Sequence, residues 1–250
     1  MADGQRTIRL TLEYDGARFS GWQIQPELRT VQGELKRALE TLCRHPVTVY
    51  GAGRTDAGVH ARAQVAHFHT RSDVSTHRLT RGIAGLCRPG LVAVAAEEVD
   101  EGFHARRSAT GKVYRYRVLA RAIPSPLLAE RAWHVPFPLD TSLLERELAT
   151  LPARADWSAY RASDCGARDP VKSLRRAELC ARDERLLVFE FEGCGFLKQM
   201  VRNLAGTLVD VARGRLEPGS MVRIRDGRDR TAAGPTAPAH GLCLERVLYR

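Results

Sequence analysis

Residues 51–61 read GAGRTDAGVHA, and the rest of the chain is organised around this stretch. Three glycines within its first eight residues allow backbone turns that residues with a Cβ mostly avoid. The flanking apolar, alternating segments are typical of strands, so the turn is predicted to lie at the end of a sheet. Because chemistry is usually placed on loops carried by a rigid scaffold, Arg54, Thr55 and Asp56 are the first candidate functional residues.

Asp56 has two interpretations that the turn alone leaves open. A carboxylate beside the Arg54 guanidinium stays ionised, because a nearby opposite charge favours the charged form. It would then act as a nucleophile or an electrostatic stabiliser, and it would be a poor proton donor. Alternatively, Asp56 caps backbone N–H groups of an ordinary tight turn and Arg54 is solvated, since Gly, Asp and Thr are common turn residues.

The composition predicts a globular protein with a polyanionic partner. With 250 residues, 44% of them hydrophobic, the chain can bury a core in one large domain or two small ones. Its net charge of +10 is uneven: residues 1–104 hold 13 Lys/Arg against 12 Asp/Glu, whereas residues 105–250 hold 26 against 17. Such an excess favours nucleic acid as the partner, although a genomic bias toward arginine gives the same balance.

The sequence shows no pattern for paired cysteines, a membrane-spanning helix, a metal site or a nucleotide cofactor. The six cysteines show no CxxC spacing, which predicts reduced thiols and a cytoplasmic protein. No apolar run approaches the roughly 20 residues that a membrane-spanning helix needs. His67 and His69 alternate without a third ligand at a suitable spacing, so no metal site is predicted. No P-loop or GxGxxG motif argues for a nucleotide cofactor.

Hydrophobic periodicity predicts the order β-α-β-β-α-β in the first part of the chain. Four segments, 7–14, 47–50, 63–69 and 91–96, are typical of strands. Two helices are predicted between them, each after a capping hydroxyl. The first follows Thr30 and the second follows Ser75 or Thr76, with Leu79, Ile83 and Leu86 on the apolar face of the second.

The second part repeats this order. Strands are predicted at 112–119, 174–180, 186–191 and 242–249, with a hairpin turn at Asp183-Glu184. One helix follows Asp140, and a strongly apolar one carries Phe196, Met200, Leu204, Leu208 and Val211. Residues 215–240 are predicted to be a long loop, either functional or merely a solvated surface segment.

These elements predict an α+β fold of two ferredoxin-like, or RRM-like, βαββαβ halves. The halves are residues 1–104, which carry the Asp56 turn, and the basic residues 105–250. We expect mainly antiparallel sheets, side by side, with an active-site cleft between the halves.

Residues 105–117 (ARRSATGKVYRYR) carry five basic residues and no acidic one. In a strand, Tyr114 and Tyr116 would share one face, and Arg115 and Arg117 the other. Aromatic side chains interleaved with cations can stack nucleobases and hold phosphates. Two ordinary core tyrosines are the alternative interpretation.

Motifs along nearly the whole chain resemble the tRNA pseudouridine synthase A family. The most specific is GRTDAGVH at 53–60. The others are Tyr14-Asp15-Gly16 with Gly21-Trp22-Gln23, FHAR at 103–106, SAT at 108–110, YRY at 114–116, Phe196-Leu197 with MVRN at 200–203 and Gly206, DRT at 229–231 and APAHGL at 237–242. The pair Lys198-Gln199, just before MVRN, departs from the family, which has Arg or Tyr followed by His or Asn at these two positions. The departure affects the expected RNA contacts, whereas the expected catalytic arginine, Arg202, is present.

The resemblance implies an isomerase that converts uridines 38, 39 and 40 of the tRNA anticodon arm to pseudouridine without a cofactor. It implies a catalytic Asp56, for which we expect a nucleophilic role on the ribose or on the uracil ring. Arg54 and Arg202 are candidates to keep this carboxylate charged and oriented, and Tyr114 is expected to pack on the uracil. A homodimer is implied, with each RNA contacting both subunits.

The target base must leave its helical stack, which costs a few kcal/mol. Basic residues can offset this cost by holding phosphates, and the candidates are Arg115, Arg223, Arg225 and Arg228. Two rival functions stay open: a non-catalytic RNA-binding module of two RRM-like units, and a nucleosidase that releases free uracil. A hydrolase needs a second, water-activating carboxylate, and the motif contains none.

Overall fold

The computed structural model describes residues 4–183 and 185–250, so Glu184 of the predicted hairpin turn lies outside the described residues. The chain forms two compact units, Met1–Thr110 with Leu244–Arg250, and Gly111–Cys243. The described part holds ten strands and five α-helices, which confirms the predicted mixture of helix and sheet. None of these helices combines the length and apolar character that crossing a membrane requires.

The first unit follows the predicted order β-α-β-β-α-β, and the end of the chain adds a strand. Its elements are β1 (Arg6–Tyr14), α1 (Val31–Cys43), β2 (Tyr50–Gly51), β3 (His60–Thr70), α2 (Thr76–Leu86), β4 (Leu91–Val99) and the part of β10 (Leu242–Leu248) from Leu244 onward. The strands lie in the order β4-β1-β3-β10, and β2 pairs with β3. β1 is antiparallel to both β3 and β4.

Capping and alternation explain these elements. The Thr30 hydroxyl accepts the Gly33 N–H at the start of α1, and Ser75 caps α2 in the same way. Alternate residues of β1, among them Ile8, are completely buried, as is Ile83 of α2. These side chains belong to the hydrophobic core that orients the sheet.

Two predictions for the first unit are wrong in detail. β2 contains only Tyr50 and Gly51, because the backbone before it binds side chains of α1. The Val47 N–H donates to Glu40, and the Val49 carbonyl accepts from Gln32. Leu86, predicted on the apolar face of α2, is 51% exposed at the end of that helix.

The second unit forms a separate set of strands and helices. Its elements are β5 (Gly111–Ala120), β6 (Trp133–Val135), α3 (Thr141–Ala149), β7 (Ala153–Asp156), β8 (Val171–Asp183), β9 (Leu186–Gly193), α4 (Met200–Ala212), α5 (Ser220–Gly227) and the first two residues of β10. β5, β9, β8 and β7 pair in that order, all antiparallel. β6 pairs with β5 in parallel.

Three features of the second unit differ from the prediction. Phe196 precedes α4, because the chain adopts a left-handed backbone at Gln199 and becomes helical only at Met200. The predicted long loop 215–240 contains α5, which buries Met221 and Ile224. The short strands β6 and β7 were not predicted, since three or four residues carry little periodicity.

Candidate active site

The Arg-Thr-Asp turn, which we define as residues 51–59, connects β2 to β3 and is held by backbone hydrogen bonds. The Trp22 N–H donates to the Thr55 carbonyl at 3.0 Å. Within the turn, the Val59 N–H donates to the Asp56 carbonyl at 3.2 Å. The carbonyl groups on both sides of the Asp56 Cα are therefore hydrogen-bonded, which limits the freedom of the backbone that carries the Asp56 side chain.

A glycine is required where this turn passes the indole of Trp22. A Cβ at Gly51 would lie 2.4 Å from the Trp22 ring, closer than any two non-bonded carbon atoms approach. Trp22 is itself 2% exposed, so the ring has little space to move away. The glycine at this position thus allows the turn to begin against a fixed aromatic surface.

Polar side chains support the turn from the interior of the first unit. The hydroxyl oxygens of Tyr14 and Thr55 share a buried hydrogen bond of 2.9 Å. The Gln64 amide donates to the Gly53 carbonyl at 3.0 Å and lies 3.5 Å from the Tyr14 hydroxyl. Gln64 is completely buried. Buried polar groups that satisfy one another in this way rigidify the backbone they contact.

Asp56 is half-buried and Arg54 is exposed. The Arg54 guanidinium donates through Nε to the Gln23 side chain at 3.1 Å. Gln23 belongs to one of the motifs that carry the family resemblance, so Arg54 connects two motifs of the first unit. The role of Arg54 in keeping Asp56 charged stays a prediction.

His60 and Asp15 form a further polar contact at the end of the turn. His60 Nδ1 accepts the Gly16 N–H at 3.1 Å and lies 3.2 Å from Asp15 Oδ1. His60 is 4% exposed. Sequence reasoning singled out neither His60 nor Gln64 as a site residue; the only sequence signal for either was the place of His60 within the motif at 53–60.

Tyr114 and Tyr116 of the second unit both point inward from β5. Tyr114 is 8% exposed and packs edge-to-face on Phe196, with ring centroids 5.1 Å apart. Tyr116 is completely buried, and its hydroxyl donates to the Pro238 carbonyl at 2.8 Å. Tyr116 is therefore a core residue with a satisfied hydroxyl.

Arg202 lies in the first turn of α4, where the segment 235–237 packs directly on the helix. Its Nε donates to the Ala237 carbonyl at 2.8 Å, and the Ala237 N–H donates back to the Arg202 carbonyl at 3.2 Å. A Cβ at Gly206 would lie 1.8 Å from the Pro235 carbonyl oxygen. The segment thus passes α4 so closely at Gly206 that a residue with a Cβ does not fit there.

A second arginine holds the same segment. Arg230 Nη2 donates to the side chains of Asn203 and Thr236, both at 3.2 Å. Asn203 is completely buried and donates to the Tyr160 carbonyl at 2.8 Å. Arg230 therefore joins the segment to an anchored residue of α4, the one next to Arg202.

Three of the four arginines predicted to bind phosphate contact carboxylates, and two of these three are Arg115 and Arg225. Arg115 pairs with the buried Glu190 at 2.7 Å. Arg225 pairs with Asp226 at 2.8 Å, and its guanidinium carbon lies 5.8 Å from the centroid of the Trp157 ring. Their binding of phosphate stays a prediction.

The other two, Arg223 and Arg228, are exposed in and after α5. Arg223 donates to the Ser220 hydroxyl at 2.6 Å. The Arg228 side chain is 67% exposed and lies 3.6 Å from an Asp156 oxygen. Their exposure keeps both guanidinium groups in reach of a phosphate.

No group of three or more His, Cys, Asp or Glu side chains in residues 4–183 and 185–250 is arranged to hold a metal ion.

Comparison with known proteins adds an independent finding. The sequence model of a family described as tRNA pseudouridine synthase matches residues 11–106 and 154–250. A tRNA pseudouridine synthase A of Myxococcus xanthus is 44% identical over 243 residues, covering 97% of this chain and 92% of the relative. Proteins of the same name from Pelobacter propionicus and Geobacter sulfurreducens are 41% and 38% identical over 244 residues, each covering 98% of this chain and 100% of the relative.

Proposed function

Because the chain belongs to the tRNA pseudouridine synthase family, we propose that it isomerises uridine to pseudouridine at positions 38, 39 and 40 of the tRNA anticodon arm. Asp56 is the nucleophile, and no cofactor takes part. The observation that carries this proposal is the Arg-Thr-Asp turn, which holds a half-buried carboxylate on a backbone fixed from the interior of the first unit.

The reaction is an isomerisation, so it balances without an added reactant. The bond between uracil N1 and ribose C1′ breaks, and a bond between uracil C5 and C1′ forms. The proton on C5 leaves to solvent, and N1 gains a proton. Cleavage develops positive charge on the ribose, which an ionised carboxylate can stabilise or trap, as in glycoside hydrolysis.

The support for Asp56 is its place in the turn. Fixing a catalytic group before the substrate arrives removes the entropic cost of ordering it during the reaction. The hydrogen bonds to the Thr55 carbonyl and hydroxyl constrain the residue immediately before Asp56. The completely buried Gln64 amide donates to the Gly53 carbonyl and so supports the first half of the turn that carries Asp56.

We propose that Tyr114 and Arg202 of the second unit act on the same uridine. The motifs YRY and MVRN carry the resemblance for these two residues. Local geometry supports the Arg202 assignment, because the hydrogen bond from its Nε to the Ala237 carbonyl orients this side chain. For Tyr114, the T-shaped contact with Phe196 fixes the ring, and stacking on the uracil would order the flipped base.

The fold proposal is that each half is a ferredoxin-like βαββαβ unit. The strand order β4-β1-β3, with β2 on β3, and the antiparallel pairs in both units support it. In this proposal residues 1–104 provide the carboxylate and the basic residues 105–250 provide arginines for RNA. The resemblance supports a cytoplasmic homodimer, and the six free cysteines agree with reduced thiols.

The proposal is tested with three anticodon-arm RNAs, each carrying a single uridine at position 38, 39 or 40, labelled with tritium at C5. We expect all three to release tritium to solvent while the RNA chain stays intact and retains pseudouridine. Free uracil among the products would indicate a nucleosidase, and RNA binding without tritium release would indicate a non-catalytic module. No tritium release from any of the three RNAs, together with release from the same arm carrying its labelled uridine at another position, would contradict the proposed substrate positions.

A further inference from the structure

A second group of aromatic and basic side chains lies in the first unit where β2 pairs with β3. Tyr50 of β2 is paired with His67 of β3. Their rings are stacked, with centroids 5.0 Å apart and planes 22° apart. Since a strand rises about 3.3 Å per residue, His67 lies roughly 23 Å along β3 from His60. Tyr50 itself immediately precedes Gly51, so the group adjoins the beginning of the Arg-Thr-Asp turn, six residues before Asp56 along the chain.

Tyr50 presents an exposed aromatic ring on a rigid support. The residue is 41% exposed, whereas His67 beneath it is 1% exposed. The ring of His104, which is half-buried, lies 5.6 Å from that of Tyr50 and 4.7 Å from that of His67. An exposed ring fixed by neighbouring rings is the arrangement on which an unpaired nucleobase stacks.

The two histidines in this group are neutral at physiological pH. Burial lowers the pKa of His67 to about 4, and the nearby His104 and His69 act in the same direction. Burial also lowers the pKa of His104, and the charge of Arg107 adds to this effect. The positive charge of the group therefore comes from arginines.

Arg106 and Arg107 provide that charge in the turn after His104. The backbone N–H groups of both residues donate to His104 Nδ1, at 3.1 and 3.3 Å, which fixes the turn to the ring. Both arginines are exposed, and residues 102–111 contain no acidic residue. Exposed cations beside a stacking ring complement the phosphates of a single strand.

We propose that Tyr50, His104, Arg106 and Arg107 form a second RNA-contact surface, which binds unpaired nucleotides of the tRNA other than the target uridine. A base stacks on Tyr50, and the two arginines bind the neighbouring phosphates. The inference rests on the proposed function for the identity of the RNA as tRNA. The surface adds affinity for the substrate and takes no part in the bond changes.

The test measures tRNA binding and tritium release for Tyr50→Ala, Tyr50→Phe and the double variant Arg106→Ala/Arg107→Ala. Loss of the stack in Tyr50→Ala is expected to raise Kd and KM about tenfold, and Tyr50→Phe is expected to restore both. The double variant is expected to weaken binding and to reduce the slope of log K against log salt by about 2. The effects should appear in Kd and KM rather than in kcat.

Arg81→Ala is the matched control, because it removes one exposed charge from α2 of the same unit. Wild-type affinity in Tyr50→Ala, or an unchanged salt slope in the double variant, would overturn the proposal. If Tyr50→Ala fails to fold, the proposal is tested by the salt dependence of tRNA binding in the double variant Arg106→Ala/Arg107→Ala. A wild-type protein that releases no tritium would contradict the proposed function. An active wild-type protein whose variants at Tyr50, Arg106 and Arg107 bind tRNA with unchanged affinity would contradict only the second RNA-contact surface.

Discussion

The hydroxyl groups of Tyr14 and Thr55 meet in a buried hydrogen bond of 2.9 Å, which joins the end of β1 to the residue before Asp56. Tyr14 is 3% exposed, and Thr55 is 8% exposed. The bond therefore connects the rigid interior of the first unit to the middle of the turn. It explains how a segment outside the strands can have a fixed position at the residue next to Asp56.

Removing this hydroxyl should affect turnover more than substrate binding. We expect Tyr14→Phe to lower kcat for tritium release about five- to tenfold with little change in KM, because a net hydrogen bond is worth about 1 kcal/mol. Tyr249→Phe is the control, since it removes a hydroxyl that donates to Ala105 at 2.7 Å in the same unit. A kcat loss of equal size in the control would show that general destabilisation is responsible.

The segment held by Arg230 should matter for the orientation of Arg202. Arg230→Ala removes the hydrogen bonds to Asn203 and Thr236 and releases the segment that binds Arg202. We expect kcat to fall about tenfold or more, because small displacements of a positioning group are costly in catalysis. Arg215→Ala, an exposed arginine just after α4, should retain wild-type kcat. Equal rates for the two variants would contradict this role of Arg230.

A methyl group at Gly206 should destabilise the second unit. Gly206→Ala would bring a carbon atom to 1.8 Å from the Pro235 carbonyl oxygen, so backbone must move, at a cost of about 1–3 kcal/mol. Gly85→Ala in α2 meets no atom within 4 Å and should instead stabilise by up to about 1 kcal/mol. Denaturant unfolding of both variants measures the difference, and a Gly206→Ala protein as stable as the wild type would contradict the close approach.

Acid should destabilise the first unit through His67. Its folded-state pKa of about 4 lies below the usual 6.5, so the unfolded chain binds the proton more readily. The stabilisation is therefore fully present above pH 6.5 and is lost as the pH falls from 6.5 to 4, amounting to about 3 kcal/mol. In His67→Gln, unfolding free energy should depend less on pH across this window. An identical pH dependence in the variant would argue against a buried neutral His67.

Sequence reasoning succeeded where the local signals agreed. α1 combines a capping Thr30 with apolar residues at helical spacing, and the turn around Asp56 combines glycines with strands on both sides. α5 was missed because two buried residues, Met221 and Ile224, lie among arginines and give only a short apolar pattern. The start of β2 was predicted too early, because Gln32 and Glu40 of α1 hydrogen-bond the backbone of Val47 and Val49, so these residues do not pair as a strand. The hydrophobic periodicity of the sequence gives no signal for such side-chain contacts.

The residues of the candidate site differ in how far the sequence could point to them. Asp56 could be singled out only through the resemblance of its motif to a known family, since the residue types alone left a turn-capping role open. Gln64 could not, because a buried amide that supports a turn looks like any polar residue in an alternating strand. Its role depends on two distances, to the Gly53 carbonyl and to the Tyr14 hydroxyl, which only the fold provides.

The most direct test of the account compares wild-type protein with Asp56→Asn on tRNA labelled with tritium at uridine C5. The substitution keeps the size of the side chain and removes its charge. We predict that the variant binds tRNA with near wild-type affinity and releases no tritium above the level without enzyme, while the wild type releases it fully. Tritium release by Asp56→Asn at the wild-type rate would contradict the central claim.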